Sequence, residues 1–273
     1  MKQNKNIIIA PCGNKSNYFS NYWLNNIEKK EFDICILFYD EEVQNQQKFK
    51  DVEFFYHLKN FKYKMIYNLL INVNPELLTK YEYFYFLDDD IEIYTNGINK
   101  IFQLSNFFDI SIASASLTKD SFYSWKLFKH KKNTLCRFVG QIEVMSPLFN
   151  RESLIVCLPT FIENDSSWGI ELIWTKLLGY PKNKFVVFDA IQMKHASPVG
   201  KGELYKKLNS KAELELSNIM KKHNVSINLI EYSRIIELDS TKNNIFYVLL
   251  KFYEKLKNYY SFSLRFIRNI MKQ

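Results

Sequence analysis

The sequence predicts an α/β fold in which helices flank a central, mostly parallel β-sheet. Short apolar runs alternate with helical patterns along the first half of the chain, as in βαβ units. A Tyr- and Phe-rich run at residues 81–87 ends abruptly in Asp88, Asp89 and Asp90, as a buried strand does at the edge of a sheet. The 273 residues, 47% of them hydrophobic, suffice for one large domain, which we expect to span residues 1–240.

The predicted strands are short runs of β-branched and aromatic residues bounded by turn residues. The first, residues 7–10, is wholly apolar and leads into a loop that contains Gly13. In residues 33–39, Ile34, Ile36 and Phe38 recur at the period of two that places them on one side of a strand. Further strands are predicted at residues 53–56, 81–87, 110–115, 138–146 and 185–189.

The predicted helices follow from apolar residues spaced three and four apart. Met65, Leu69 and Leu70, for example, fall on one side of the segment 62–73. Helices are predicted at residues 17–30, 62–73, 97–107 and 169–178.

The three consecutive aspartates indicate a metal site. Carboxylates crowded at a strand tip repel one another, and desolvation strengthens the repulsion. A divalent cation removes that cost, and oxygen ligands of this kind suit Mg²⁺ or Mn²⁺, which share their shell with substrate phosphates. The alternative is a helix N-terminus rich in Asp, where acidic residues suit the helix dipole.

Three predicted strand ends carry groups suited to a nucleotide. Ligands of open α/β sheets bind beyond the carboxyl ends of the strands. The loop after the first strand offers backbone donors and a cation, and Asp40 follows the second strand. The candidates for binding the nucleotide are Pro11, Gly13, Asn14, Lys15, Asp40, Lys62, Asp88 and Asp89.

A second cluster of aromatic and acidic residues lies between residues 138 and 200. Trp168 offers a face on which a sugar ring packs, and Gly169 is a flexible neighbour. Glu171, at the predicted start of a helix, is placed to take a proton from a hydroxyl group, and Asp165 is the rival base. The alternatives are that Glu171 caps the helix and that Trp168 packs in the core.

Three further residues, Gln141, Glu143 and His130, are considered for the acceptor side. Gln141 and Glu143 alternate on a predicted strand, where they either line a pocket or face water at an edge. His130 lies in a basic loop that either holds an anionic group or is simply solvated. The acceptor-binding candidates are Trp168, Gly169, Glu143 and His130.

Four motifs in order, at residues 86–90, 142–149, 163–171 and 189–200, resemble those of the domain of unknown function 707 family. The resemblance covers about residues 61–202. That family looks like a set of GT-A-type glycosyltransferases, which are Rossmann-related, metal-dependent and use nucleotide sugars. The resemblance implies that Asp88 and Asp90 form a DxD pair, that His195 is a third metal ligand and that Glu171 is the acceptor-side base. Asp89 stands where the family often has Glu.

The function implied is transfer of a sugar from a nucleotide-sugar donor, with Mn²⁺ or Mg²⁺, to a glycan or lipid-linked hydroxyl in bacterial surface polysaccharide synthesis. An inverting course is one option. Another metal-dependent phosphate-transfer enzyme is one alternative, although the chain has no Walker A motif. A non-catalytic nucleotide- or sugar-binding protein is the other.

Most of the net positive charge of the chain lies in its last 33 residues. Seven basic residues and one acidic residue give residues 241–273 a net charge of +6, out of +8 for the whole chain. Apolar residues at helical spacing predict a basic amphipathic helix here, either lying on an anionic membrane surface or packing on the domain or in a dimer. Nucleic acid is disfavoured, because the nearly neutral remainder lacks a broad basic face.

The sequence also predicts a compartment. The four cysteines are scattered and form no CxxC pair, which favours reduced thiols. Neither a secretory signal nor an apolar stretch of about 18 residues is evident. We therefore expect a cytoplasmic protein, peripheral on the inner face of the plasma membrane.

Overall fold

The computed structural model describes residues 4–198 and 212–236. Two compact units are distinguished, Met1–Ile235 and Ile236–Gln273, and the description below concerns the first. The predicted basic helix at 241–273 lies outside the described residues and stays a prediction. Among the helices that are described, none is both long and apolar enough to cross a bilayer.

The strands and helices agree with most of the predicted segments. The strands are β1 (Asn6–Cys12), β2 (Asp33–Phe38), β3 (Phe54–His57), β4 (Tyr83–Phe86), β5 (Ile91–Glu92), β6 (Ile112–Leu117), β7 (Thr134–Val139), β8 (Leu148–Asn150), β9 (Phe185–His195) and β10 (Glu231–Ile236). The α-helices are α1 (Lys62–Asn68), α2 (Leu77–Lys80), α3 (Thr95–Phe107), α4 (Arg151–Cys157), α5 (Ile170–Leu177) and α6 (Ala212–His223).

The strands form one mixed sheet in the order β10-β7-β9-β6-β8-β4-β1-β2-β3, with β5 paired to β9. β1, β2, β3 and β4 pair in parallel, and β8 runs antiparallel to both β4 and β6. β9 is parallel to β6. Six strands therefore share one direction, and their carboxyl ends meet at one edge of the sheet. The predicted α/β fold class is confirmed.

An aromatic cluster holds the layers of the domain together. Tyr63 of α1, Phe86 of β4 and Phe149 of β8 surround Phe161, with ring centroids 4.7–6.2 Å from it. Trp174 of α5 packs 5.0 Å from Phe149. Burial of each such ring contributes about 2 kcal/mol, so the cluster fixes α1 and α5 against the strand that carries the aspartates.

The predicted helix at residues 17–30 was wrong in its continuity. The structure has two short turns instead, Phe19–Trp23 and Ile27–Lys29. Between the two turns, the Asn26 N–H donates to the Thr95 hydroxyl and not to a helix carbonyl. The Asn25 side chain in turn accepts from the Thr95 N–H. Local hydrogen bonds of this kind compete with helix formation.

The predicted strand at residues 138–146 was also wrong, because β7 ends at Val139. The Gly140 N–H donates to the Ile230 carbonyl, and the Gly140 backbone lies so close to Asn228 that a Cβ there would fall 2.4 Å from its side chain. Gln141 and Glu143 therefore lie in a loop and do not alternate on a strand. The loop between β7 and β8 carries them into the interior of the protein, where both are buried.

Candidate functional site

The candidate site lies at the carboxyl edge of the sheet. Asp88, Asp89 and Asp90 follow β4. His195 was predicted to follow a strand at residues 185–189, but β9 is six residues longer and His195 is its last residue. The short strand β5 brings the two segments together, because Ile91 pairs with His195 and the Ala196 N–H donates to the Asp90 carbonyl over 3.1 Å.

Asp88, Asp90 and His195 lie close enough together to hold a metal ion. One ligand atom from each lies within 4.8 Å of the others, and His195 Nε2 is 3.2 Å from Asp90 Oδ2. His195 Nδ1 is buried and has no hydrogen-bond partner among the described residues. Two carboxylates and an imidazole fit a divalent cation such as Mn²⁺ or Mg²⁺. The structure thus brings together the three residues predicted to be ligands.

Electrostatics inside the triad favour the charged forms of Asp90 and His195. Burial alone would raise the pKa of Asp90, but the hydrogen bond from His195 and the charge of His195 lower it. Burial would likewise lower the pKa of His195, but the hydrogen bond and charge of Asp90 raise it. The pKa of Asp88 is raised, chiefly by burial, although Lys62 opposes this shift.

Lys62, predicted to bind phosphate, is engaged inside the protein. Its ammonium donates to Asp88 Oδ1 at 2.6 Å and to the Met145 carbonyl at 2.8 Å, with the Phe86 and Val144 carbonyls at 3.2 Å. Burial outweighs Asp88 and lowers the pKa of Lys62. In this arrangement Lys62 neutralises Asp88 and joins it to the loop that carries Glu143.

Asp89 points away from the triad, towards the loop after β1. The hydroxyls of Tyr39 (2.8 Å) and Ser16 donate to its carboxylate. Burial raises the pKa of Asp89 to about 6, although these hydrogen bonds oppose the shift. Asp89 therefore braces the predicted nucleotide loop.

The predicted nucleotide loop is tightly folded. The Gly13 N–H donates to Ser16 Oγ at 2.9 Å, and the Asn14 N–H donates to Asp40 Oδ2 at 2.7 Å. A Cβ on Gly13 would lie 2.7 Å from the Tyr39 ring, so only glycine fits. Lys15 is exposed at the loop tip. Pro11, which lies inside β1, is buried, so three of the four candidates from this loop lie beyond the strand end.

A small cavity of about 30 Å³ collects three of the four acceptor candidates and the candidate base. It also shows two residues that sequence reasoning missed, Ser124 and Trp125, for which no spacing or motif gave a signal. The cavity is lined by Ser124, Trp125, Glu143, Val144, Trp168, Gly169, Glu171 and Leu216.

Glu171 lies in the first turn of α5 and binds the backbone at the start of that helix. Its Oε2 accepts the Gly169 N–H at 2.9 Å. Burial, with a further contribution from Glu143, raises the pKa of Glu171 to about 8, against the opposing effect of the backbone N–H groups. Gly169 has φ = +91°, and a Cβ there would lie 3.0–3.1 Å from Leu216 and Ile219, so glycine is required for both reasons.

Glu143 faces the cavity from the opposite segment and is only 8% exposed. Ser124 lines the same cavity, and its hydroxyl and backbone N–H oppose the rise that burial causes in the pKa of Glu143. Its Oε2 is buried and has no hydrogen-bond partner in residues 4–198 and 212–236. Burial raises the pKa of Glu143 to about 6, and the charges of His195 and Asp88 act on it in opposite directions.

Two candidates lie elsewhere. Asp165 forms an ion pair with Lys64 and lines a separate open pocket of about 320 Å³. His130 Nδ1 lies 3.3 Å from the Ser116 hydroxyl and 3.9 Å from Asp189. Neither residue lines the cavity that contains Glu171.

Asp189 belongs to a buried ion pair that the sequence did not reveal. Arg137 Nε donates to Asp189 Oδ2 at 2.6 Å, and both side chains are inaccessible to solvent. Arg137 also donates to the carbonyls of Leu127 and Lys129. The pair therefore holds the loop that follows Trp125.

Comparison with known proteins places the chain in a family. The profile of a family described as "Protein of unknown function (DUF707)" matches residues 1–237. The chain belongs to the DUF707 family. The resemblance found in the sequence is thus confirmed.

Solved structures similar to this DUF707 chain include S. aureus TarS, with 12% identity and a TM-score of 0.47 over 80% of this chain and 43% of TarS. The chain thus spans less than half of TarS. S. aureus TarS 1–349 in complex with UDP-GlcNAc has 13% identity and a TM-score of 0.45, over 80% of this chain and 72% of that one. A candidate nucleotide-diphospho-sugar transferase from Desulfovibrio desulfuricans G20 has 10% identity and a TM-score of 0.42, over 79% of this chain and 98% of that one. No curated protein matches significantly in sequence.

Proposed function

We propose that this protein is a metal-dependent glycosyltransferase of GT-A type that moves a sugar from a nucleotide sugar to a hydroxyl group of a glycan or lipid-linked acceptor. The observation that carries the proposal is the metal-ligand triad of Asp88, Asp90 and His195 next to a cavity lined by two carboxyl groups and two indoles. A divalent cation held by the triad would bind a diphosphate, and the carboxyl groups of the cavity suit a hydroxyl group.

The chain's own residues supply binding and proton transfer. A divalent cation, when bound, acts as a Lewis acid that neutralises charge on the departing nucleoside diphosphate. Asp88, Asp90 and His195 would hold it, and the loop 13–16 with Asp40 would hold the nucleoside. Trp168 and Trp125 would pack on the acceptor, and a cavity carboxylate would take the proton of its hydroxyl group.

A screen of nucleotide sugars tests this function. Thermal unfolding is measured with each donor, with and without Mn²⁺, and release of nucleoside diphosphate is measured in parallel. We expect one donor class to raise the unfolding temperature only with Mn²⁺ and to be turned over. Binding without turnover would favour a non-catalytic binding protein, and incorporation of nucleotide into product would favour another phosphate-transfer enzyme.

In this proposal the protein lies on the inner face of the plasma membrane, as a peripheral protein, and acts in surface polysaccharide synthesis. The support is the net charge of +6 in residues 241–273, since each basic residue near an anionic surface contributes about 1 kcal/mol. Sedimentation with vesicles rich in anionic lipid, for the full chain and for a chain ending at residue 240, tests this. Equal pelleting of the two would exclude the anchor.

A further inference from the structure

We infer that Glu143 is the general base that takes the proton of the acceptor, and that Glu171 is a positioning residue that holds the cavity wall. This inference rests on the proposed function and reverses the role that the sequence motif assigned to Glu171. The geometry distinguishes the two carboxyl groups by what each already binds.

Glu171 is used by the backbone around it. The Gly169 N–H donates to Glu171 Oε2 at 2.9 Å, next to a glycine in the left-handed region at the start of α5. Carboxylates in the first turn of a helix satisfy N–H groups that have no partner within the helix. Glu171 thus fixes the sharp turn that presents Trp168 and Gly169 to the cavity.

Glu143 has the arrangement expected of a base. Ser124 lines the cavity beside it, and the hydroxyl and backbone N–H of Ser124 favour the charged form of the Glu143 carboxyl group. Its Oε2 is buried without a partner among the described residues, although burial of an unpaired carboxylate oxygen is costly. An acceptor hydroxyl group entering the cavity would be that partner.

Glu143 is also linked to the metal site, as a base must be if it serves a reaction at the donor. The charges of Asp88 and His195 act on its carboxyl group. Two residues further on, the Met145 carbonyl accepts from the Asp88 N–H at 3.3 Å and from Lys62 at 2.8 Å. Glu143 therefore lies on the segment that joins the cavity to the triad.

The reaction step balances with these groups alone. The acceptor O–H proton moves to Glu143 Oε2 while the acceptor oxygen bonds to the anomeric carbon. The bond from that carbon to the diphosphate oxygen breaks, and its electron pair leaves with the nucleoside diphosphate. A water molecule can replace the acceptor hydroxyl group, since a cavity of about 30 Å³ is large enough for one.

The test compares Glu143→Gln with Glu171→Gln, with water as the acceptor and with the nucleotide sugars and Mn²⁺ of the screen. We expect Glu143→Gln to lower turnover at least about 100-fold with donor affinity unchanged. Glu171→Gln keeps an oxygen that accepts from the Gly169 N–H, so it should retain far more turnover than Glu143→Gln. Glu171→Ala, which removes that oxygen, should lower the unfolding temperature more than Glu143→Ala does. Equal loss of stability in the two alanine variants would overturn the inference.

Rescue by azide distinguishes a variant that lacks the base from one whose site is displaced, because azide attacks as an anion and needs no base to remove a proton. Glu143→Ala with azide should form the glycosyl azide at a rate at least tenfold above its hydrolysis, and Glu171→Ala should not. Full turnover by Glu143→Gln, or no azide product from Glu143→Ala, would overturn the assignment. A wild-type protein that turns over no donor would refute the proposed function, and the base assignment with it.

Discussion

Lys62 and Asp88 form an ion pair, with 2.6 Å between Nζ and Oδ1, at the point where the candidate metal site meets the cavity wall. The side chain of Lys62 is 11% exposed and that of Asp88 33%. The same ammonium binds the carbonyls of Val144 and Met145, and the Tyr63 hydroxyl donates to the Val144 carbonyl at 2.6 Å. The first turn of α1 thus holds two parts of the site in one arrangement.

Removal of the Lys62 charge should destabilise the protein. Lys62→Met removes the ammonium bound to Asp88 and leaves only His195 to offset the charges of Asp88 and Asp90. We expect a loss of about 3 kcal/mol, because breaking a buried pair costs about 3–5 kcal/mol and Asp88 is partly exposed. Urea unfolding measures it. Lys5→Met, which breaks the exposed pair with Glu82, is the matched control and should cost less than about 1 kcal/mol. Similar losses in both variants would contradict the role of Lys62.

Asp89 and Asp90 are adjacent in sequence but should have different functions. Asp90→Asn removes a ligand of the triad, so we expect Mn²⁺ affinity to fall at least about tenfold. Calorimetry, or the electron paramagnetic resonance spectrum of free Mn²⁺, measures it. Asp89→Asn should leave Mn²⁺ affinity within about threefold and loosen the loop 13–16, because Asp89 binds Ser16 and Tyr39. An equal loss of Mn²⁺ in both variants would mean that Asp89 also reaches the ion.

Stability should fall as the pH rises from about 5 to 8. The pKa of Glu171 is raised to about 8 in the folded protein, chiefly by burial, whereas in the unfolded chain it keeps its ordinary value near 4.5. Between these values the folded state binds more protons, so its free energy of unfolding declines with pH. Urea titrations at several pH values measure this slope. Glu171→Gln should flatten it, and an unchanged slope would show that other groups cause it.

Two glycines form a matched pair for backbone strain. Gly169 and Gly179 both have positive φ, +91° and +76°, but a Cβ on Gly169 meets α6 whereas one on Gly179 meets nothing within 4 Å. We expect Gly179→Ala to cost about 1 kcal/mol from strain alone, and Gly169→Ala to cost about 2–3 kcal/mol. Thermal or urea unfolding compares them. Equal costs would mean that the contact between α5 and α6 yields easily.

Local patterns predicted the parts of this site that depend on short segments. The Tyr- and Phe-rich run and its aspartates lie where a buried strand must end, and the helix that starts near Glu171 follows from periodicity. The cavity could not be predicted from local patterns, because Trp125 and Glu143 come together only through the loop between β7 and β8. That loop depends on contacts of Gly140 with Asn228 and Ile230. The pair of Arg137 and Asp189 was missed for the same reason, since charges distant in sequence carry no periodic signal.

The ligand triad joins residues more than one hundred positions apart, since Asp90 precedes β5 and His195 ends β9. A nascent or truncated chain that lacks β9 holds the aspartates without the imidazole. The proposed ion would therefore bind only after β9 has been synthesised and has paired with β5, and Mn²⁺ would stabilise completed chains over partly synthesised ones.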